Sequence, residues 1–170
     1  MVGKIAQELV RRRAIEFGSF TLASGKKSDF YIDIKSAVTS PEFLSLIAKK
    51  VAKDFSFDIV AGVAVGGVPL AVAVSLESKK PYAIIRSSEK DHGKKNVIIG
   101  NVEGRSVLLI EDVTTSGASA LYGVGMLRSA GAVVATVVTV VDREEGAGEM
   151  LKAHDVRLIP LATVSELRQG

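Results

Sequence analysis

The sequence has no cysteine, which excludes disulfides, thiolate catalysis and cysteine-based zinc or iron–sulfur sites. It has no apolar run near the roughly 18 to 20 residues that span a bilayer; the longest runs are short and broken by glycine, proline or charge. Nor does MVGKIAQELVRRRAIEFG read as a secretory leader, because its arginines lie inside an amphipathic run rather than ahead of an apolar one. A dominant charge is missing as well: the net charge of +3 is too small to imply a nucleic-acid partner without a concentrated patch. A soluble, cytoplasmic protein with no membrane or nucleic-acid partner is therefore expected.

What is present is 170 residues with 47% apolar side chains. A chain of that size buries roughly 68 to 70% of its extended surface in one core. Neither GxxxxGK[ST] nor GxGxxG occurs, so the common nucleotide-loop fingerprints are absent. Basic residues do concentrate between Lys79 and Lys95, with Lys79, Lys80, Arg86, Lys90, Lys94 and Lys95 set against Glu89 and Asp91. That segment would attract an anionic ligand, or else form a solvated basic loop.

Strand-like and helix-like runs alternate along the chain. Residues 2–17 place Ile5, Leu9 and Ile15 near one helical face, and Gly18 stops the run. From Ser19 to Lys35 the apolar residues fall at even spacings around SGKKSD, which predicts a hairpin. Pro41 opens a second helix. Residues 58–65, 82–86, 107–111, 133–141 and 156–160 are β-branched and almost continuously apolar, as strands buried on both faces must be. Helices are predicted over 67–77, 117–130 and 146–153. The expected fold is α/β: a mostly parallel sheet flanked by helices in one domain spanning residues 1–170, with residues 1–35 as an appendage.

The run VLLIEDVTTSGASALYGVGMLRSAG, residues 107–131, carries the chemistry. A buried strand ends in Glu111 and Asp112, then passes through Thr114, Thr115, Ser116 and Gly117 into a helix. In open α/β sheets ligands bind beyond the carboxyl ends of the strands. The hydroxyls, the glycine turn and the unpaired N–H groups of a helix start form a cradle for one phosphate monoester. Two acids beside such a cradle call for hydroxyl groups or a divalent cation, and a sugar phosphate supplies both. A plain strand–turn–cap would have little use for two carboxylates and three hydroxyls in succession.

Residues 107–119 resemble the phosphoribosyl pyrophosphate (PRPP) motif of type I phosphoribosyltransferases. FTLASGKKSDFYIDIK (20–35), AGVAVGGVPLA (61–71), RSSEKDHG (86–93) and VVDREEG (140–146) resemble the orotate branch of that family. The resemblance covers nearly the whole chain in order. It implies the type I phosphoribosyltransferase fold, with a small N-terminal hood formed by about residues 1–35. It also implies transfer of phosphoribose from PRPP to orotate in pyrimidine synthesis, in a homodimer whose active sites are shared across the interface.

By the same resemblance, Glu111 and Asp112 meet the ribose hydroxyls, while Val113, Thr114, Thr115, Ser116, Gly117, Ala118 and Ser119 surround the 5′-phosphate. Gly66 and Gly67 lie against the pyrophosphate, where side chains would block backbone donors; a plain Gly-Gly turn is the alternative. Arg86, Lys90 and His92, with Asp91 shaping their loop, steady the leaving diphosphate, and Lys90, Asp91 and His92 are the catalytic candidates. Lys26, Tyr31, Thr115 and Arg143 are assigned to orotate, with Arg143 offering a bidentate fork; in isolation, an Asp142–Arg143 surface pair is equally reasonable. Mg²⁺ is expected to be carried mainly by PRPP or pyrophosphate, with no direct protein ligand assigned. His154 is read as structural or solvent-facing.

Two departures remove positive charge. Ala23 stands where many members have lysine, and Ser87 where many have a second basic residue; Lys26, Lys27 or Lys35 are candidates to compensate for the first. Asp29 also replaces a frequent proline. Competing readings are a phosphoribosyltransferase for a purine or another pyrimidine, and a PRPP-sensing regulatory protein without turnover.

Overall fold

The structure, a computed structural model, describes residues 3–21, 25, 27–86 and 97–169. A six-stranded sheet carries the fold: β3 (Ile59–Val63), β4 (Tyr82–Ile85), β5 (Ile98–Ile99), β6 (Ser106–Thr114), β7 (Val133–Asp142) and β8 (Arg157–Thr163). Their spatial order is β5-β4-β3-β6-β7-β8, parallel except for the antiparallel edge pair β4–β5. Helices α1 (Lys4–Arg11), α3 (Pro41–Asp54) and α4 (Gly67–Ser78) pack one face, where Leu9, Ile47 and Leu70 share a cluster with Leu108 and Ile110. Helices α5 (Ala118–Ser129) and α6 (Ala147–Lys152) cover the other, where Val124 and Leu151 meet Val107 and Leu109. The apolar strand runs are thus buried on both faces, as parallel sheets with helical crossovers require. No helix among the described residues is long and apolar enough to cross a membrane.

The N-terminal segment departs from the expected long helix. After Arg11 the chain turns, and Ile15 begins strand β1 (Ile15–Thr21), antiparallel to β2 (Lys27–Ile32). A Schellman-type stop ends α1: Ala14 N–H donates to Leu9 C=O at 2.9 Å and Arg13 N–H to Val10 C=O at 3.0 Å, with Arg13 left-handed at φ 54°. Arg13 occupies the left-handed position usually held by glycine, so the sequence shows no stop there, and Gly18 lies inside β1. The predicted hairpin is present. Its inward residue Phe30 is buried in the core shared with the sheet, whereas Tyr31, one residue on, is exposed.

A short helix α2 (Ile34–Ala37) follows the hairpin, capped by Asp33, and α3 begins at Pro41 behind Ser40 as expected. Strand β6 is longer than predicted. Its ladder with β7 continues through Glu111↔Thr139, Val113↔Val141 and Thr114↔Asp142, so the two acids lie within the strand rather than ending it. A final helix, α7 (Val164–Leu167), carries a Thr163–Glu166 capping box.

Two described cations of the basic segment, Lys80 and Arg86, flank opposite ends of β4. Lys80 lies at the amino end of β4, where its ammonium donates to the Phe57 carbonyl and sits 4.8 Å from the Phe57 ring centroid. Arg86 follows the opposite end of the same strand. Six residue steps, about 20 Å of extended chain, separate their backbones.

Candidate active site

The site assembles where β6, β3 and β7 leave the sheet at their carboxyl ends. Successive residues of a strand face opposite sides, and β6 therefore sends Glu111 toward α5 and Asp112 toward α2 and α4. Glu111 is 4% exposed and accepts a hydrogen bond from Ser119 Oγ at 2.9 Å. Burial pushes its carboxyl up to about 7; the Ser119 bond opposes that, the neighbouring Asp112 charge adds to it, and Lys35 lowers it. Asp112 is also buried, and its Oδ2 lies 3.5 Å from Lys35 Nζ.

Beyond the acids, the loop into α5 encloses a compact pocket of about 70 Å³, lined by Glu111, Val113 and every residue from Thr114 to Ala120. Drug-sized sites run to about 300–1,000 Å³, so this one fits a single group. Gly117 makes the turn possible twice over: its φ is 85°, and a Cβ there would sit 3.1 Å from Ala147 Cα. Thr115 and Ser116 are exposed at the loop, while Thr114 is buried and its hydroxyl donates to Asp142 Oδ1 at 3.1 Å. Thr114 thus braces the cradle against β7 with its side chain.

Gly66 and Gly67 open α4 beside Asp112. A Cβ on Gly66 would lie 2.2 Å from Asp112 Oδ2, and one on Gly67 would lie 2.6 Å from the Ile110 carbonyl oxygen. Gly67 is therefore demanded by close packing of the helix start on the β6 backbone, a stronger constraint than a plain turn imposes, while Gly66 leaves the space that the Asp112 carboxylate fills. Both glycines are buried in this packing, and the exposed residue of the turn is Val65, just before them.

Arg143 follows β7 and does not pair with Asp142. Its Nε donates to Glu145 Oε1 at 2.7 Å, and its guanidinium lies 4.5 Å from the Phe30 ring centroid. Asp142 instead accepts from Thr114 and from the Glu144 N–H. Arg168, beyond α7, approaches Phe30 at 5.4 Å and pairs with Asp29 at 2.7 Å, tying the hairpin to the C-terminal segment. Tyr31 is 48% exposed, with its ring 5.9 Å from that of Phe20.

Arg86 N–H donates to the Val97 carbonyl at 2.9 Å, and the Arg86 carbonyl accepts from Tyr122 Oη at 3.3 Å. The first bond joins the described residues on either side of 87–96, and the second ties Arg86 to α5. Lys26, Lys90, Asp91 and His92 lie outside the described residues. His154 is exposed, its Nδ1 2.9 Å from the Met150 carbonyl, far along the chain from the acids, as expected. Sequence reasoning missed Tyr122, Glu145 and the specific reach of Lys35: Tyr122 carries no motif signal, and although Glu145 and Lys35 lie inside the segments 140–146 and 20–35, their partners are set by tertiary placement.

The chain is similar to known proteins over nearly its whole length. The phosphoribosyl transferase domain model matches residues 42–164. The orotate phosphoribosyltransferase of Methanocorpusculum labreanum is 60% identical over 167 residues, covering 98% of this chain and 99% of the relative. Among solved structures, orotate phosphoribosyltransferase from Aeropyrum pernix superposes with a TM-score of 0.83 at 32% identity, covering 97% of this chain and 96% of that one. The Mycobacterium tuberculosis enzyme crystallised with PRPP gives 0.79 at 30% identity, covering 97% of each.

Proposed function

Because the chain belongs to the orotate phosphoribosyltransferases, within the type I phosphoribosyltransferase family, we propose that it transfers the 5-phosphoribosyl group of PRPP to N1 of orotate. The products are orotidine 5′-monophosphate and pyrophosphate, in a step of pyrimidine nucleotide synthesis. The observation that carries this reading is the single-group pocket formed by Glu111 and residues 113–120, next to Asp112.

In this reading the 5′-phosphate sits in the cradle, met by backbone N–H groups of the first turn of α5 and the hydroxyls of Thr115 and Ser116. Glu111 and Asp112 take the ribose hydroxyls, and the turn at Gly66 and Gly67, where no side chain intervenes, lies against the diphosphate. Tyr31 packs on the pyrimidine ring beside Lys26 and Thr115. Arg143 exchanges its bond to Glu145 for the orotate carboxylate or a ring carbonyl, keeping a charge-assisted pair throughout. Arg86, Lys90 and His92, with Asp91, close over the diphosphate from the neighbouring subunit of a homodimer in the cytoplasm.

As the C1′–O bond stretches, the sugar becomes oxocarbenium-like and the pyrophosphate gathers negative charge, so fixed cations and backbone donors are the useful groups. Orotate is already an anion able to attack through N1, and its chemistry demands no covalent nucleophile or protein base. Loop closure excludes water and so protects PRPP from hydrolysis. Mg²⁺ enters as part of the PRPP substrate, because the ion binds phosphates while keeping several waters. When bound, it neutralises charge on the diphosphate.

The test is orotate loss, followed by absorbance in the presence of PRPP and Mg²⁺, beside parallel assays of uracil, hypoxanthine and adenine. Orotate is expected to be consumed in preference to the others. Preferential turnover of any other base would overturn the assignment.

A further inference from the structure

Lys35 stands on α2 with a fixed backbone and a largely exposed side chain. Asp33 caps the helix, accepting from Ser36 N–H at 3.0 Å and Ser36 Oγ at 2.6 Å, and Ile34 anchors it in the core. The Lys35 side chain is 71% exposed, yet it reaches Asp112, a carboxylate only 12% exposed. The same Asp112 oxygen fills the space that a Cβ on Gly66 would occupy. Ammonium, carboxylate and diphosphate loop therefore share one small space. The Lys35 cation also acts on Glu111, opposing the upward push that burial exerts on its carboxyl.

Two carboxylates beside a bound polyanion repel it unless a cation stands between them. A half-exposed pair at 3.5 Å is weak, and a lysine, with three donors on a four-carbon stem, changes partner without moving its helix. We propose that Lys35 is a substrate-contacting residue: its ammonium pairs with Asp112 in the resting site and transfers to the diphosphate of PRPP when the ribose hydroxyls take over that carboxylate. This deepens, and rests on, the reading of the β6 end as the PRPP site. It also selects Lys35 among the lysines that could compensate for Ala23.

The experiment titrates the two halves of the substrate separately, inorganic pyrophosphate with Mg²⁺ and ribose 5-phosphate, into wild type, Lys35→Ala and Lys35→Arg by calorimetry. Lys35→Ala is expected to weaken pyrophosphate about ten-fold, the loss of one charge-assisted contact, and to leave ribose 5-phosphate unchanged or tighter because its competitor for Asp112 is gone. Lys35→Arg should hold pyrophosphate within about three-fold of wild type, since the charge and reach remain. In steady state, Lys35→Ala should raise the KM for PRPP and leave that for orotate unchanged. Equal weakening of both probes, or of neither, would overturn the proposal, because a lysine that only steadies the fold gives one of those patterns. Wild type binding neither probe would overturn the PRPP-site reading itself, a separate result. Lys35→Gln, which keeps the stem, provides the same comparison should circular dichroism show the alanine variant unfolded.

Discussion

Ser119, in the first turn of α5, donates its hydroxyl to Glu111 near the end of β6 at 2.9 Å, so the phosphate loop and the buried acid are one mechanical unit. Burial nonetheless raises the Glu111 carboxyl from 4.5 to about 7. The folded protein then holds this proton up to about pH 7, whereas the unfolded chain releases it near 4.5. Stability from this group is present in full below pH 4.5 and is lost as the pH rises toward and through 7. Its upper bound is about 3 kcal/mol. Glu111→Gln removes the titration, so the melting temperature of the variant relative to wild type should rise between pH 5 and pH 8. A pH-independent difference in the melts would show that Glu111 does not titrate in this window.

Arg143 is expected to serve orotate rather than PRPP. Arg143→Ala should raise the KM for orotate much more than that for PRPP, through loss of a charge-assisted pair of about 1.5–3 kcal/mol. Glu145→Gln should have the opposite sign, lowering the KM for orotate, because the carboxylate at 2.7 Å competes with the substrate for the guanidinium. Equal weakening of both substrates in Arg143→Ala would point to lost stacking on Phe30 instead.

Lys90 is expected to act in trans on the pyrophosphate held by the partner subunit. Lys90→Ala should depress the chemical rate more than ground-state PRPP affinity, since charge on the leaving group grows toward the transition state. Mixing inactive Lys90→Ala and Asp112→Asn chains should regain activity, because one site of the heterodimer combines an intact ribose loop with an intact Lys90. The check is turnover after co-refolding at equal concentrations, with heterodimers confirmed by mass spectrometry. Heterodimers without turnover would place Lys90 in cis.

Much of this architecture is legible in the chain. Strands buried on both faces are written as continuous β-branched runs, and Ser40-Pro41 and EDVTTSG mark a helix start and a ligand loop by local chemistry. The misreadings have physical causes. Ile15 keeps the helical phase of Ile5 and Leu9, and the stop before it is carried by a left-handed Arg13 rather than a glycine. The two residues of β5 are an edge pairing too short to show a period. Helix α7 did leave a signal, the T-x-x-E of Thr163 and Glu166. The extension of β6 through its acids depends on the ladder with β7, and the pairs Lys35–Asp112 and Arg143–Glu145 on which elements meet; local pattern encodes neither.

The central claim, that Asp112 and the following loop hold the phosphoribosyl group, is tested most directly by Asp112→Asn. The substitution is isosteric, and its partner Lys35 is exposed, so the fold should survive. PRPP binding by calorimetry and the steady-state rate with orotate are measured on the same folded protein, with circular dichroism as control. The account predicts weakened PRPP affinity or a depressed rate with an unchanged spectrum. A folded Asp112→Asn that binds PRPP and turns over orotate as wild type does would contradict it.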